Sequence, residues 1–312
     1  MQGIEVKHED ALSLLRGLDD QSVDLLIADP PYNLGKDYGN KSDSRAFDEY
    51  LSFSEEWIGE AVRTLKPHGS IFVFMGVRFI SYLYQILEQK NKLEFNSWIV
   101  WHYTQGIGKT KGFSPRHDDI LFFSKNKEFQ FNLDPVRVPQ KFYRSRNNMR
   151  GANPGDVWNF SHVHYCNFNR QNHPTQKPEG LLERMVLSAS REGDLVVDPF
   201  MGSGTTLRVC QQLDRKCTGA DINEKYVEMT KERLTSDFSG FDSIDPRMKR
   251  VPNDLRRPEI LDAYIENHKD WFLKNHENDL KDLEKEVFKK YGVKGKIKPS
   301  DNRVKLTTST FI

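Results

Sequence analysis

Residues 195–221 read LVVDPFMGSGTTLRVCQQLDRKCTGAD, and this stretch decides the fold class. Leu195 to Asp198 is a short apolar run of the kind that forms a buried parallel strand. Gly202 to Leu213 opens a glycine turn into a helix, and Lys216 to Asp221 returns as a second strand. Strand, turn, helix, strand is the repeating unit of α/β folds, which bind ligands at the carboxyl ends of their strands. Gly202 and Gly204 let the backbone pass close to a ligand, while the helix start offers unbonded N–H groups. Asp221 falls where a ribose diol needs an acceptor. A dinucleotide fingerprint requires a third glycine where Leu207 stands, which disfavours a pyrophosphate-bearing cofactor and a Rossmann-like oxidoreductase. Alone, the two glycines also fit an ordinary tight turn.

Earlier in the chain, residues 23–32 read VDLLIADPPY. Val23 to Ala28 is a continuous apolar strand whose end is forced open by Pro30 and Pro31, which lack N–H donors. Alone, the four residues Asp29, Pro30, Pro31 and Tyr32 also fit a strand followed by a rigid proline turn, but each suits methyl transfer to an amino nitrogen conjugated with a heterocycle. Such a nitrogen is a poor nucleophile. The Asp29 carboxylate and the Pro30 carbonyl can accept its two hydrogens, which draws the nitrogen toward tetrahedral geometry and stabilises the positive charge that develops. Tyr32 can stack on the base. No strong general base is needed, because the proton can leave after the methyl arrives. Downstream, Ser52 and Glu55 read as a capping box for a helix striped by Trp57, Ile58, Ala61, Val62 and Leu65, which Pro67-His68-Gly69 ends. A strand over Ile71–Phe74, a helix over Phe79–Gln89 and strands over Trp98–Trp101 and Ile120–Phe123 continue the alternation. Residues 104–117 form a glycine-rich basic loop, and Leu181–Ala189 reads as a helix.

A hydrophobic fraction of 37% over 312 residues can fill a core. Lys plus Arg total 46 against 45 for Asp plus Glu, a net charge of +1, so any polyanion site must be a local patch. The clearest patch lies between Asp134 and Asp156, where Arg137, Lys141, Arg144, Arg146 and Arg150 meet no acidic residue and are interleaved with Phe142 and Tyr143. Phosphate contact is the expectation there. Apolar runs fall short of a membrane span and the start is charged rather than signal-like, so a soluble, cytoplasmic protein without a membrane partner is expected. Cys166, Cys210 and Cys217 read as buried, inert thiols rather than a disulfide or zinc framework. His162 and His164 read as surface or phosphate contacts, and Trp98, Trp101 and Trp158 as core. No metal is expected. The stretch between about residues 127 and 173 has no strand or helix pattern. Beyond Leu234, Pro246, Pro252 and Pro258 punctuate a connector to an amphipathic stripe from Ile260 to Phe288, read as a helix that packs on the core or on a second copy of the chain.

Together these motifs resemble the β-group DNA amino-methyltransferases, in particular the bacterial adenine-N6 modification enzymes, from about Val6 to Leu234. In that family a catalytic D-P-P-Y precedes a target-recognition region, then H-P-T-Q-K-P, then the glycine motif that binds S-adenosylmethionine. Here these are Asp29–Tyr32, residues 126–172, His173–Pro178 and Asp198–Thr206. The resemblance implies that Asp198, Phe200, Gly202, Ser203, Gly204, Thr205 and Asp221 bind the cofactor. It further implies that Asp10, in His8-Glu9-Asp10, contacts its adenine region, and that Lys177 lies in the segment covering its methionine end. It implies a circularly permuted, Rossmann-like methyltransferase domain over residues 1–235, with a mostly parallel seven-stranded sheet, one strand of it reversed; the tail lies outside the resemblance, and its own pattern reads as a helical C-terminal appendage over residues 236–312. Duplex DNA is the implied partner, and the resemblance is compatible with a homodimer and with functional pairing with a restriction endonuclease. The alternatives are cytosine-N4 methylation, which needs the same two acceptors, and a non-catalytic DNA-binding protein on the same fold. Asp as the first motif residue, rather than Ser, favours adenine. Cytosine-C5 methylation is disfavoured, because the catalytic stretch has no Pro-Cys pair to supply a thiolate.

Overall fold

The computed structural model describes residues 3–35, 44–103, 108–138, 152–163 and 170–236. The chain divides into two compact units, Met1–Asn132 with Asp156–Ile244, and Leu133–Gly155 with Asp245–Ile312. In the first, the chain order is β1 (Ile4–His8), α1 (Ala11–Arg16), β2 (Val23–Ala28), α2 (Phe47–Thr64), β3 (Leu65–Met75), α3 (Ile80–Gln85), β4 (Glu94–His102), β5 (His117–Ser124), β6 (Val157–Asn159), α4 (Glu179–Ala189), β7 (Leu195–Asp198), α5 (Thr205–Gln212), β8 (Lys216–Asp221) and α6 (Glu224–Thr235). The described part of the second unit holds a 3-10 turn over Asp134–Val136 and an antiparallel bridge between Val138 and Ala152.

The eight strands form one sheet in the order β1-β8-β7-β2-β3-β5-β4-β6. Only β5 runs against its neighbours, pairing antiparallel with β3 and β4. In β2 all six residues are buried, and they alternate between two cores as period 2 dictates. Leu26 and Ala28 pack with Trp57, Ile58 and Leu83 of α2 and α3. Leu25 and Ile27 pack with Leu181, Met185 and Leu207 of α4 and α5 on the other face. After β2 the chain moves outward through β3, and it returns on the other side of β2 at β7, with Leu25 and Leu26 opposite Val196 and Val197. The β2–β7 seam is therefore a topological switch point, with a crevice at its carboxyl end.

Several expectations need correction. The sheet has eight strands rather than seven, because Val157–Asn159 pairs in parallel with β4 inside the stretch read as patternless. The helix read from Ser52 starts at Phe47. Its first turn uses only the acidic half of a capping box, as the Ala46 N–H donates to the Glu49 carboxylate at 3.3 Å. Pro67-His68-Gly69 does not follow the helix as a separate stop, since β3 begins at Leu65 and runs through it. The helix read over Phe79–Gln89 is α3 followed by a π-type turn at Ile86–Lys90. Strand β1 and helices α1 and α6 had no clear sequence signal. Cys210 and Cys217 are buried free thiols, whereas Cys166, His164, Lys141, Arg144, Arg146, Arg150 and the stripe from Ile260 to Phe288 lie outside the described residues.

Close helix–strand packing is achieved by a glycine on the strand rather than at position 207. A Cβ on Gly219 of β8 would stand 2.5 Å from Leu207 Cδ1 and 3.1 Å from Met201 Cβ. Gly219→Ala should therefore cost about 1–3 kcal/mol by overpacking, and combining it with Leu207→Ala should cost clearly less than the sum of the two single changes. Urea denaturation of the four proteins tests this, and strict additivity would show that the contact is not made.

Candidate functional site

A cavity of about 1070 Å³ opens at the carboxyl edge of the sheet. Its wall takes in Asp10 after β1, Asp29 to Tyr32 after β2, Gly76 after β3, Trp101 and Tyr103 at the end of β4, Asp198 to Ser203 after β7, and Asp221 after β8. The segment His173 to Lys177 closes one side. Asp29, Asp198 and Asp221 thus sit at strand ends, which fixes these groups on rigid elements.

The turn after β2 is anchored from behind. The Tyr50 hydroxyl of α2 donates to the Pro31 carbonyl at 2.7 Å. Asn33, left-handed at φ +56°, donates to the Arg45 carbonyl at 2.9 Å and accepts from the Arg45 N–H at 2.7 Å. Asp29 is divided between two roles. Its Oδ2 is paired with the Lys177 ammonium, while its Oδ1 is buried with no hydrogen-bond partner among the described residues. Lys177 Nζ also lies 5.7 Å from the Tyr32 ring centroid and 5.3 Å from that of Phe74. Tyr32 lies against Gly76, where a Cβ would come within 3.3 Å of its ring. Gly76 thus leaves room for the ring, a role that sequence reading missed.

The glycine turn has a built support. Gly202 has φ +48°, and a Cβ there would stand 2.9 Å from His173 Nε2, so the turn and the His173 segment touch through the missing side chain. Gly204, at φ +71°, does not face the cavity; a Cβ there would meet Thr230 Cγ2 at 2.4 Å, which makes it a packing glycine against α6. Arg233 of α6 donates to the Ser203 carbonyl at 2.8 Å and to the Thr205 hydroxyl at 3.0 Å, and pairs with Glu179 of α4 at 2.7 Å. The Thr205 hydroxyl donates in turn to the Lys177 carbonyl at 3.2 Å. Phe200 presents its ring to the cavity and packs edge-on against Trp57, with centroids 5.4 Å apart.

Beside Asp29, the carboxylates of Asp221, Asp198 and Asp10 gather at this edge. Asp221 accepts from the Gly202 N–H at 3.1 Å and the Asn223 N–H at 2.8 Å, and burial raises its pKa despite both bonds. Asp198 accepts from the Phe200 N–H at 3.1 Å and from the Thr206 hydroxyl. Burial pushes its carboxyl up to about 7, with a further push from Asp29 and Asp221. Asp10 lines the cavity, but its carboxylate caps α1, accepting from the Leu12 and Ser13 N–H groups at 2.9 and 3.0 Å and from the Ser13 hydroxyl at 2.6 Å. The Ser13 hydroxyl bond, above all, holds its pKa below the usual value.

Of the expected residues, the cavity brings together Asp29, Pro30, Pro31, Tyr32, Asp10, Lys177, Asp198, Phe200, Gly202, Ser203, Thr205 and Asp221, but not Gly204. Lys177 is seated on Asp29, which the motif order alone did not indicate. Arg137 is not an uncompensated charge, because its Nε lies 2.6 Å from Asp134 Oδ1. His162 is not a plain surface residue. It packs on Tyr103 at 4.0 Å between ring centroids and lines the cavity.

The raised Asp198 carboxyl has a measurable consequence. Between its unfolded value of 3.8 and about 7, the folded protein keeps a proton that the unfolded chain has released. Stability therefore falls as pH rises across that window and levels off above it. Asp198→Asn removes this dependence, so its stability relative to the wild type should rise from pH 4 to pH 8 by on the order of 4 kcal/mol at most. Urea denaturation at several pH values tests it, and a difference that does not change with pH would contradict the assignment.

A family model described as DNA methylase matches residues 23–232. The chain is 63% identical over 282 residues to the type II methyltransferase M.HpaI of Haemophilus parainfluenzae, covering 90% of each chain. It is 34% identical over 271 residues to the DNA adenine methyltransferase YhdJ of Escherichia coli (strain K12), covering 82% of this chain and 92% of that protein. Among solved structures, the M1.HpyAVI-SAM complex matches with a TM-score of 0.56 at 25% identity, over 75% of this chain and 100% of that one. A switch-point cavity with D-P-P-Y on one strand end and the glycine turn on the next fits these likenesses, and the chain belongs to the N6/N4 family of DNA methylases.

Proposed function

We propose that this methyltransferase modifies the N6 amino nitrogen of adenine at a specific sequence of duplex DNA, acting on a base turned out of the stack. The observation that carries the reading is the divided Asp29 carboxylate, with Oδ2 held by Lys177 and Oδ1 buried and unbonded among the described residues. A buried acceptor left without a donor is costly unless a ligand supplies one. An exocyclic amino group supplies an N–H, and its second hydrogen is assigned to the Pro30 carbonyl.

S-Adenosylmethionine, the methyl donor of this family, brings when bound an electrophilic methyl on a sulfonium cation. The residues present fit it. Asp221 has acceptor capacity for a ribose diol beside its two backbone bonds, and the turn at Gly202 and Ser203 borders the cavity. Phe200 and Ile222 offer apolar walls. Asp29 and the Pro30 carbonyl draw the target nitrogen toward tetrahedral geometry and stabilise the charge it acquires. Tyr32 supplies a ring face for the base. The N6 proton is lost after transfer, so no residue is assigned as a strong base.

An amino group inside a duplex is engaged in pairing and cannot reach the bottom of this cavity, which supports base flipping. Aspartate rather than serine at position 29 supports adenine over cytosine-N4 as the target. Contacts to the DNA backbone fall to Lys141, Arg144, Arg146 and Arg150, with Arg137 contributing less because Asp134 neutralises it. The likeness to a type II methyltransferase supports functional pairing with a restriction endonuclease.

Methyl-labelled S-adenosylmethionine, incubated with the protein and mixed plasmid DNA, provides the test. Digestion to nucleosides should place the label in N6-methyladenine. Label in N4-methylcytosine would transfer the proposal to the alternative target, and no incorporation would support a non-catalytic DNA-binding protein.

A further inference from the structure

The loop that joins β4 to β5 has no role in the account above. Its described part, residues 108–116, reads GKTKGFSPR and carries Lys109, Lys111 and Arg116 with no acidic residue. Its two ends meet the cavity rim, where Trp101, Tyr103, Pro115 and His117 line the space that holds Asp29. The Tyr103 N–H donates to the Arg116 carbonyl at 2.9 Å, so the two ends are paired. Farther out, the Lys109 N–H donates to the Ser114 hydroxyl at 2.8 Å and closes a small turn. Gly112, at φ +80°, takes the left-handed conformation this turn needs.

Phe113 sits on that turn and is 99% exposed, ahead of Val77 at 68% and Ile222 at 56% among the exposed large hydrophobic residues described. A single exposed apolar side chain is ordinary. Here, however, an uncovered aromatic ring stands on a hydrogen-bonded turn, between cations, on a loop whose ends border a cavity that must receive a base. Val77 and Leu34, also more than half exposed, lie on the same rim. A surface that meets this pattern presents anions at its edge and flat apolar rings within. Duplex DNA does so, with phosphates outside and the base stack inside.

We propose that Phe113 is a wedge that enters the base stack as the target adenine leaves it, while Lys109, Lys111 and Arg116 hold the flanking phosphates. This rests on the base-flipping reading above. The ring fills space that the departing base vacates, and the three cations draw the loop onto the duplex without selecting a sequence.

The test starts from the sequence that the wild-type enzyme methylates in plasmid DNA, built into short duplexes. Single-turnover methylation is measured for the wild type, Phe113→Ala and Phe113→Leu. One duplex is intact, and in the other the target adenine faces an abasic site. Phe113→Ala should lose at least about tenfold on the intact duplex and less than about threefold opposite the abasic site, where the partner base no longer resists departure. Phe113→Leu should keep most of the rate, and S-adenosylmethionine affinity should not change in either variant. A rate for Phe113→Ala close to wild type on the intact duplex would overturn the wedge. An equal loss on both duplexes would also overturn it, reducing Phe113 to a simple contact. The base-flipping reading is checked separately on the wild type with 2-aminopurine at the target position, whose fluorescence should rise on binding. No rise would refute that reading whatever the Phe113 variants do.

Discussion

Parallel pairing of β2 with β7 is the constraint from which the site follows. These strands are far apart in sequence, and their register sets the ends of both at one crevice, Asp29 on one side and Asp198 on the other. Two carboxylates at a half-buried edge repel each other and lose hydration, and the fold answers in two ways. Asp29 receives the Lys177 ammonium. Asp198, fully enclosed, has its carboxyl pushed up to about 7. The pair is thus kept from presenting two unscreened charges, and one Asp29 oxygen is left for a ligand.

The supports of this edge converge on α6 and the segment before α4. Arg233 holds the glycine turn by its carbonyl at Ser203 and is itself paired with Glu179, both side chains only 4% exposed. A buried pair of this kind is weak evidence of net stability, but removing one partner leaves a buried charge and typically costs about 3–5 kcal/mol. Its value here is geometric. The same contacts tie the turn to the Lys177 carbonyl through Thr205, so the cofactor edge and the catalytic edge are set by one network.

Strands β2, β7 and β8 were legible end to end in the sequence, because each is a short buried run with sharp punctuation by proline, glycine or aspartate. Helix α2 was legible in its stripe but not in its start. Ser52-Phe53-Ser54-Glu55 imitates a capping box, while the true N-cap, Ala46, has no capping side chain. Strand β6 is three residues long, too short to show a period. The seating of Lys177 on Asp29 and of Gly204 on Thr230 depends on contacts between distant segments, which local pattern does not encode. The ion pair of Arg137 with Asp134 is legible in the sequence, since the two are three positions apart. Exposure of Phe113 likewise needed coordinates, because nothing in GKTKGFSPR says which way the ring faces.

The central claim is that the charged, half-occupied Asp29 carboxylate stabilises the positive charge that develops on the target nitrogen. Asp29→Asn tests it most directly, because the side chain keeps its shape and an oxygen acceptor but loses its charge. The decisive quantity is the single-turnover rate of methyl transfer at saturating S-adenosylmethionine and DNA. The account predicts a fall of about 10²–10³-fold with S-adenosylmethionine affinity nearly unchanged. A rate close to that of the wild type would contradict it.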